Sequence, residues 1–267
     1  MTDTALRVIH FHFGKEGGAE RFFVKFAQAM ERRGVEQRFV IRPNRSWDGQ
    51  IAGLGPVIRN NFRVTSLLTP LLHWQADRWV KTWKPHAVMS WMPRAAWLVH
   101  RWPGVVKLNR MGDFPQNLKH FDNCDLLVGN VPGIARTCRD LGWTKPALTI
   151  SNFTPIVVPK PVPRARHDTP DGVFLVVAGG RFQPRKALDT AIRAVARIPD
   201  AWLWLVGEGR LRPELEKLAA DLGVAPRLRF VGWVDDPVHH IASGDAFLLS
   251  SRHEPLGNIL LEAWAAG

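Results

Sequence analysis

Short apolar runs alternate with amphipathic helical patterns along most of this chain, and one proline-dense stretch interrupts them. Residues 6–11 read as a strand, followed by Gly17-Gly18 and a helix to about Arg33. Phe22, Phe26 and Met30 share one face of that helix, Phe23 and Ala27 lie beside them, and Gly34 is placed to stop it. Further strands are expected at 38–41, 87–91, 105–108, 126–128 and 147–150, with a helix at 133–141 between the last two. After Thr154 come Pro155, Pro159, Pro161, Pro163 and Pro170. Proline lacks the N–H that helices and central strands need, so 154–170 reads as an extended linker. The alternation then resumes: strands at 173–178, 202–206, 228–231 and 246–249, helices at 187–198 and 211–222. Strands alternating with helices imply βαβ units and parallel sheets. The expected architecture is α/β, with Rossmann-like domains at 1–153 and 171–267 on either side of the linker and a cleft between them for ligand.

Composition narrows the class. An apolar content of 46% suffices for packed cores. The two cysteines, Cys124 and Cys138, show neither pairing nor metal-ligand spacing, which suits a reducing cytosol. No signal-peptide stretch opens the chain, and no uncharged apolar run approaches the ~18 residues of a spanning helix. The expected location is therefore cytoplasmic, soluble or peripheral on the inner membrane face. Charge is uneven: residues 1–151 carry a formal +11 (22 basic against 11 acidic side chains) and residues 152–267 carry +1 (14 against 13). Such a basic half suits an anionic partner, whether nucleic acid, acidic membrane or phosphorylated substrate; a merely solvated basic surface is the plainer reading.

The chemistry concentrates near residue 254. A short apolar run at 245–250 precedes Glu254-Pro-Leu-Gly-Asn258, and a helical pattern begins at Asn258. Strand, glycine turn and helix start make an anion site, because the first helical turn leaves N–H groups without intrahelical partners. Glu254 and Glu262 repel phosphate and so suit hydroxyl groups. Arg181 and Lys186, on the loop after an expected strand, can meet a diphosphate through charge-assisted hydrogen bonds worth roughly 1.5–3 kcal/mol each. Gly17 and Gly18 permit close approach of backbone to ligand. Each feature has a plainer reading: solvated loop cations, a carboxylate favoured by a helix dipole, an ordinary loop before a helix.

Taken in order, these pieces resemble the family 4 retaining glycosyltransferases, which have the GT-B fold. The matching stretches are Gly179-Gly180-Arg181 with Lys186-Ala187, Leu205-Val-Gly-Glu-Gly209, Phe230-Val-Gly232, Ser250 to Gly267 with its two glutamates, and Gly17-Gly-Ala-Glu-Arg21. The resemblance implies a sugar transferase of bacterial lipopolysaccharide or surface-polysaccharide type, acting on a nucleotide-sugar donor and a glycan or lipid-linked acceptor. Glu254, Arg181 and Lys186 are its expected catalytic group. Gly17, Gly18, Gly180, Arg181, Lys186, Gly232, Leu256, Gly257, Asn258 and Glu262 are its expected donor contacts. Glu254 is assigned to the sugar hydroxyls, Glu262 to the ribose, and the N–H groups of residues 256–258 to phosphate or sugar. Neither metal nor cofactor is implied, the nucleotide-sugar being a substrate. Members of the family also continue beyond the point corresponding to Gly267, so the resemblance implies a C-terminally truncated chain with an incomplete second domain.

Some residues fit less well. Where many members carry a histidine near the transferred sugar, this sequence has Arg110, and Asp113 nearby is a candidate acceptor contact. His100 and His120 read as surface residues. His10 and His12 share a strand face, but no third metal ligand accompanies them, and core or surface roles are expected. Gly207-Glu-Gly209 lacks the third glycine of a dinucleotide fingerprint. Leu67, Leu68, Leu71, Leu72, Trp74, Trp79 and Trp83, among Arg63, Arg78, Lys81 and Lys84, suit either an anionic membrane surface or a helix packed on the first sheet. The rival functions are a basic nucleic-acid-binding protein, for which no binding motif is present, and an inactive nucleotide-sugar-binding fragment.

Overall fold

The computed structural model describes residues 5–60, 69–155 and 157–267, in two compact units, Met1–Asn152 and Phe153–Gly267. The first unit runs β1 (Arg7–His12), α1 (Gly18–Glu31), β2 (Glu36–Ile41), α2 (Asp48–Ile51), β3 (Val57–Arg59), α3 (Thr69–Trp83), β4 (Ala87–Trp91), α4 (Pro93–Leu98), β5 (Val106–Met111), β6 (Leu126–Gly129), α5 (Pro132–Asp140) and β7 (Ala147–Thr149). The second runs β8 (Leu175–Gly179), α6 (Leu188–Val195), β9 (Trp202–Val206), α7 (Arg212–Asp221), β10 (Leu228–Gly232), α8 (Val238–Ile241), β11 (Ala246–Leu248) and α9 (Asn258–Ala266). Both sheets are parallel, in the orders β3-β2-β1-β4-β5-β6-β7 and β10-β9-β8-β11. The expected α/β class with a parallel sheet on each side of the proline-rich stretch is what the molecule has.

Alternation along each strand builds the layers. In the first unit Val8, Phe39, Ile41, Met89 and Trp91 point to the α1 side and pack on Phe22, Phe23 and Ala27. Their neighbours Ile9, Phe11, Val40 and Val88 point to the other side, onto Leu72, Ala76, Ala95 and Leu98 of α3 and α4. Both faces are covered, so residues on both sides of the central strands are buried, His10 and His12 of β1 among them, rather than alternating with exposed ones. The second unit repeats this: Val176, Ala178, Leu203 and Leu205 meet α6 and α7, while Leu175, Val177, Trp204 and Val206 meet Ile241 and Ile259. Gly34, at φ 73°, ends α1 as expected, with the Val35 N–H donating to Met30 O at 3.1 Å.

The proline-rich segment groups with the second unit rather than spanning freely between two bodies. Its prolines exclude ladder hydrogen bonds, but the backbone and side chains between them remain available. The Val162 N–H donates to Ser243 Oγ at 2.8 Å, Arg164 pairs with Asp245 at 3.0 Å, and the Trp204 indole donates to Thr169 Oγ1 at 2.8 Å. In the Leu- and Trp-rich segment, α3 buries Leu72 and Ala76 and leaves Leu71 and Trp74 exposed; Arg63, Leu67 and Leu68 lie outside the described residues.

His10 and His12 are core residues. His10 stacks on Phe39 and hydrogen-bonds Gln37 at 3.1 Å; His12 accepts the Gly14 N–H at 3.1 Å and lies against Phe23. Burial holds His10 down to about 4 and His12 to about 3, against an ordinary 6.5. Both are therefore neutral when folded, and the unfolded chain binds more protons below pH 6.5. Their stabilisation is complete above that pH and is lost as pH falls toward 4. The melting temperature is expected to fall over pH 7 to 4.5, with a shallower slope in a His10→Leu/His12→Leu variant. An unchanged slope contradicts the assignment.

Candidate active site

In a parallel sheet every C-terminal strand end lies on one edge, so the loops after β8, β9, β10 and β11 gather there. That edge of the second unit carries Gly180, Arg181, Lys186, Gly232, Glu254, Leu256, Gly257 and Asn258. Three glycines make the approach of the loops tight. The Gly207 N–H donates to Gly232 O at 2.8 Å, and a Cβ on Gly207 falls 2.1 Å from Gly180 O. Gly180, Gly207 and Gly232 all have positive φ, at 133°, 134° and 87°. Ala187 also sits in the left-handed region at φ 49° and is fully buried. Strain therefore lies immediately beside Lys186.

Lys186 lies across Gly180, whose absent Cβ leaves 3.4 Å to the lysine methylenes. Glu254 folds back over Gly257, where a Cβ meets Glu254 Cγ at 2.9 Å. The two side chains, 15% and 20% exposed, form an ion pair with each other, and Ser251 Oγ donates to the same Glu254 oxygen at 3.3 Å. By resemblance Lys186 is expected at the diphosphate and Glu254 at the sugar; the fold joins them directly.

Helix α9 begins at Asn258 with Gly257 as its N-cap, which brings no side chain to the first-turn N–H groups. Glu262 is one turn further along and buried, at 4% exposure. Arg181 is exposed on the Lys186 loop and Leu256 is half-buried. Gly17 and Gly18 belong to the other unit, at the start of α1.

A clamp with no signature in the sequence pattern holds the two loops together. The Arg252 N–H donates to Arg185 O at 2.9 Å, its guanidinium to Pro184 O at 3.1 Å and to Asp189 at 3.0 Å, and Ser250 Oγ donates to Lys186 O at 3.0 Å. The Arg252 guanidinium in turn holds the Asp189 carboxyl below its ordinary range. In sequence Arg252 is marked only by standing two residues before Glu254. Breaking the clamp with Arg252→Asp is expected to lower kcat/KM of the site's reaction about tenfold or more. Adding Asp189→Arg to restore the pair should recover much of that loss. Equal activity in all three proteins contradicts a positioning role.

Arg110 does not present itself as the counterpart of a sugar-contacting histidine. It is 5% exposed, its guanidinium lies 4.6 Å from the Phe22 ring centre and 5.8 Å from that of Trp91, and it hydrogen-bonds Ile150 O at 3.1 Å and the Asn152 side chain. Burial lowers its pKa to about 10. Its place at the end of β5 thus serves to anchor the chain after β7. Asp113 accepts the Phe114 N–H at 2.9 Å. His100 is exposed and stacks on His73, and the half-buried His120 tilts against Trp97. Among the described residues, no group of three or more His, Cys, Asp or Glu is placed to hold a metal ion. No described helix is long and apolar enough to cross a membrane.

Residues 173–267 match the family described as glycosyl transferases group 1. Over 262 residues the chain is 47% identical to the lipopolysaccharide core biosynthesis glycosyltransferase LpsE of Rhizobium meliloti (strain 1021), covering 98% of this chain and 77% of that protein. It is 41% identical to LpsD of the same organism, covering 98% and 76%. Among solved structures, Anabaena Alr3699/HepE in complex with UDP and glucose superposes with a TM-score of 0.79 at 18% identity, over 98% of this chain and 78% of that one. At that identity the likeness shows the fold.

Proposed function

We infer the reaction from one premise: this chain belongs to the glycosyl transferases of group 1. It is a glycosyltransferase, and the relation to LpsE and LpsD supports lipopolysaccharide core synthesis over nucleic-acid binding. The proposed reaction moves a sugar from a nucleotide-sugar to a core glycan acceptor, with retention of configuration. The observation that carries the site is the meeting of Lys186, Glu254 and the N-terminus of α9 on one sheet edge.

In this reading the diphosphate lies between Lys186, Arg181 and the N–H groups that open α9. Glu254 takes sugar hydroxyls, and Glu262 takes the ribose. As the anomeric C–O bond breaks, negative charge grows on the departing phosphate oxygen. Cationic and amide donors there stabilise the transition state more than the bound donor. The acceptor hydroxyl attacks the anomeric carbon on the face the phosphate leaves, and its proton passes to that phosphate oxygen. A thermal-shift screen with UDP-, GDP- and ADP-sugars, followed by transfer to purified core acceptor, tests this. Stabilisation by one nucleotide class together with transfer supports the reading; neither effect counts against it.

The acceptor is also proposed to reside at an anionic membrane surface. Leu71 and Trp74 of α3 are 47% and 57% exposed, Arg78 lies over Trp74, and the surrounding half carries the basic excess. Tryptophan with arginine suits the headgroup region. Co-sedimentation with phosphatidylglycerol vesicles at low salt is expected, weakened by Trp74→Ser and Arg78→Ser; equal binding to neutral vesicles contradicts it.

A further inference from the structure

The ion pair between Lys186 and Glu254 joins the two groups that the proposed donor must address separately. A lysine ammonium has donors only, and a carboxylate oxygen presents it with the same kind of negative acceptor that a phosphate oxygen does. Glu254 also lies over Gly257 at the N-terminus of α9, where negative charge is favoured. Its side chain thus stands where an anionic ligand group would stand. The backbones on both sides are fixed by Arg252 and Ser250, so parting the two side chains requires only rotation about their own bonds.

We propose that Glu254 is an internal competitor for Lys186, and that the site distinguishes donor from spent nucleotide by exchanging this ion pair. The proposal rests on the nucleotide-sugar reading above. A complete donor supplies both halves of the exchange: its diphosphate takes Lys186, and its sugar hydroxyls take the released Glu254. A nucleoside diphosphate supplies only the first, so it must displace Glu254 without offering that carboxylate a new partner. After transfer Glu254 returns to Lys186 and promotes departure of the nucleotide. The glutamate therefore acts in opposite directions on substrate and product.

This gives a prediction of unusual sign. Glu254→Gln is expected to bind nucleoside diphosphate more tightly than the unaltered chain, by about fivefold on the scale of a partly exposed ion pair. Its turnover falls, and its preference for donor over product shrinks. Lys186→Met weakens binding of both ligands, and adding Glu254→Gln to it brings no gain. Titration calorimetry of the full chain with UDP, GDP and ADP, and with the matching sugar nucleotides, reads these effects. Glu254→Ser serves as a second variant should the glutamine protein fold poorly. Tighter nucleoside-diphosphate binding in the glutamate variants, dependent on Lys186, supports the exchange. Unchanged or weaker binding overturns it while leaving the donor site standing. If the unaltered chain binds none of these nucleotides, the donor-site reading falls and the exchange falls with it.

Discussion

Lys186→Met is expected to lower kcat/KM for sugar transfer by about a hundredfold to a thousandfold, the usual loss when one preorganised donor to a developing anion is removed. Methionine keeps the aliphatic stem that packs along Gly180, so the loop should stay in place. The Glu254 carboxylate left behind is 20% exposed and can be solvated, which limits the structural cost. The melting temperature should therefore shift little. Steady-state kinetics beside a melting curve separates the outcomes. A fall in activity with an intact fold fits the role given to Lys186; a variant that turns over normally removes the cation from the chemistry.

Gly207→Ala should damage fold and site together. The alanine Cβ meets the carbonyl oxygen of Gly180 at 2.1 Å, a contact with backbone rather than with a yielding side chain. The residue must also hold φ 134°, which side chains rarely adopt. Strain and overpacking together are expected to cost about 2–4 kcal/mol. Gly207 also donates to Gly232 O, so relief by moving β9 outward disturbs all three loop ends. Urea denaturation with an unchanged m value and a lower midpoint is the expected result, accompanied by weaker nucleotide binding. Stability equal to that of the unaltered chain contradicts the close packing of these glycines.

Much of this architecture is legible in the sequence where local signals are strong. Strands β4 and β9 are readable at both ends because burial on both faces gives runs that are apolar except for Ser90. The start of α9 was marked by Gly257 before Asn258 and an apolar run. Elements too short to display a period escaped notice: β3 covers only Val57–Arg59, and α4 starts behind Met92 in a left-handed conformation that methionine rarely adopts. The shared edge of Lys186 and Glu254 followed from strand order, but their direct pairing joins residues 68 apart and leaves no local trace. Arg110 illustrates the same limit. The sequence pattern ends the strand at 108, whereas β5 runs on to Met111 and carries Arg110, whose burial depends on Phe22 from α1 and Trp91 from β4.

A crystal structure of this chain with a non-hydrolysable sugar nucleotide tests the central claim most directly. The account predicts the diphosphate within hydrogen-bonding distance of Lys186 Nζ and the first-turn N–H groups of α9, with the Lys186–Glu254 pair parted and Glu254 on the sugar. A diphosphate bound elsewhere, with that pair intact, contradicts it.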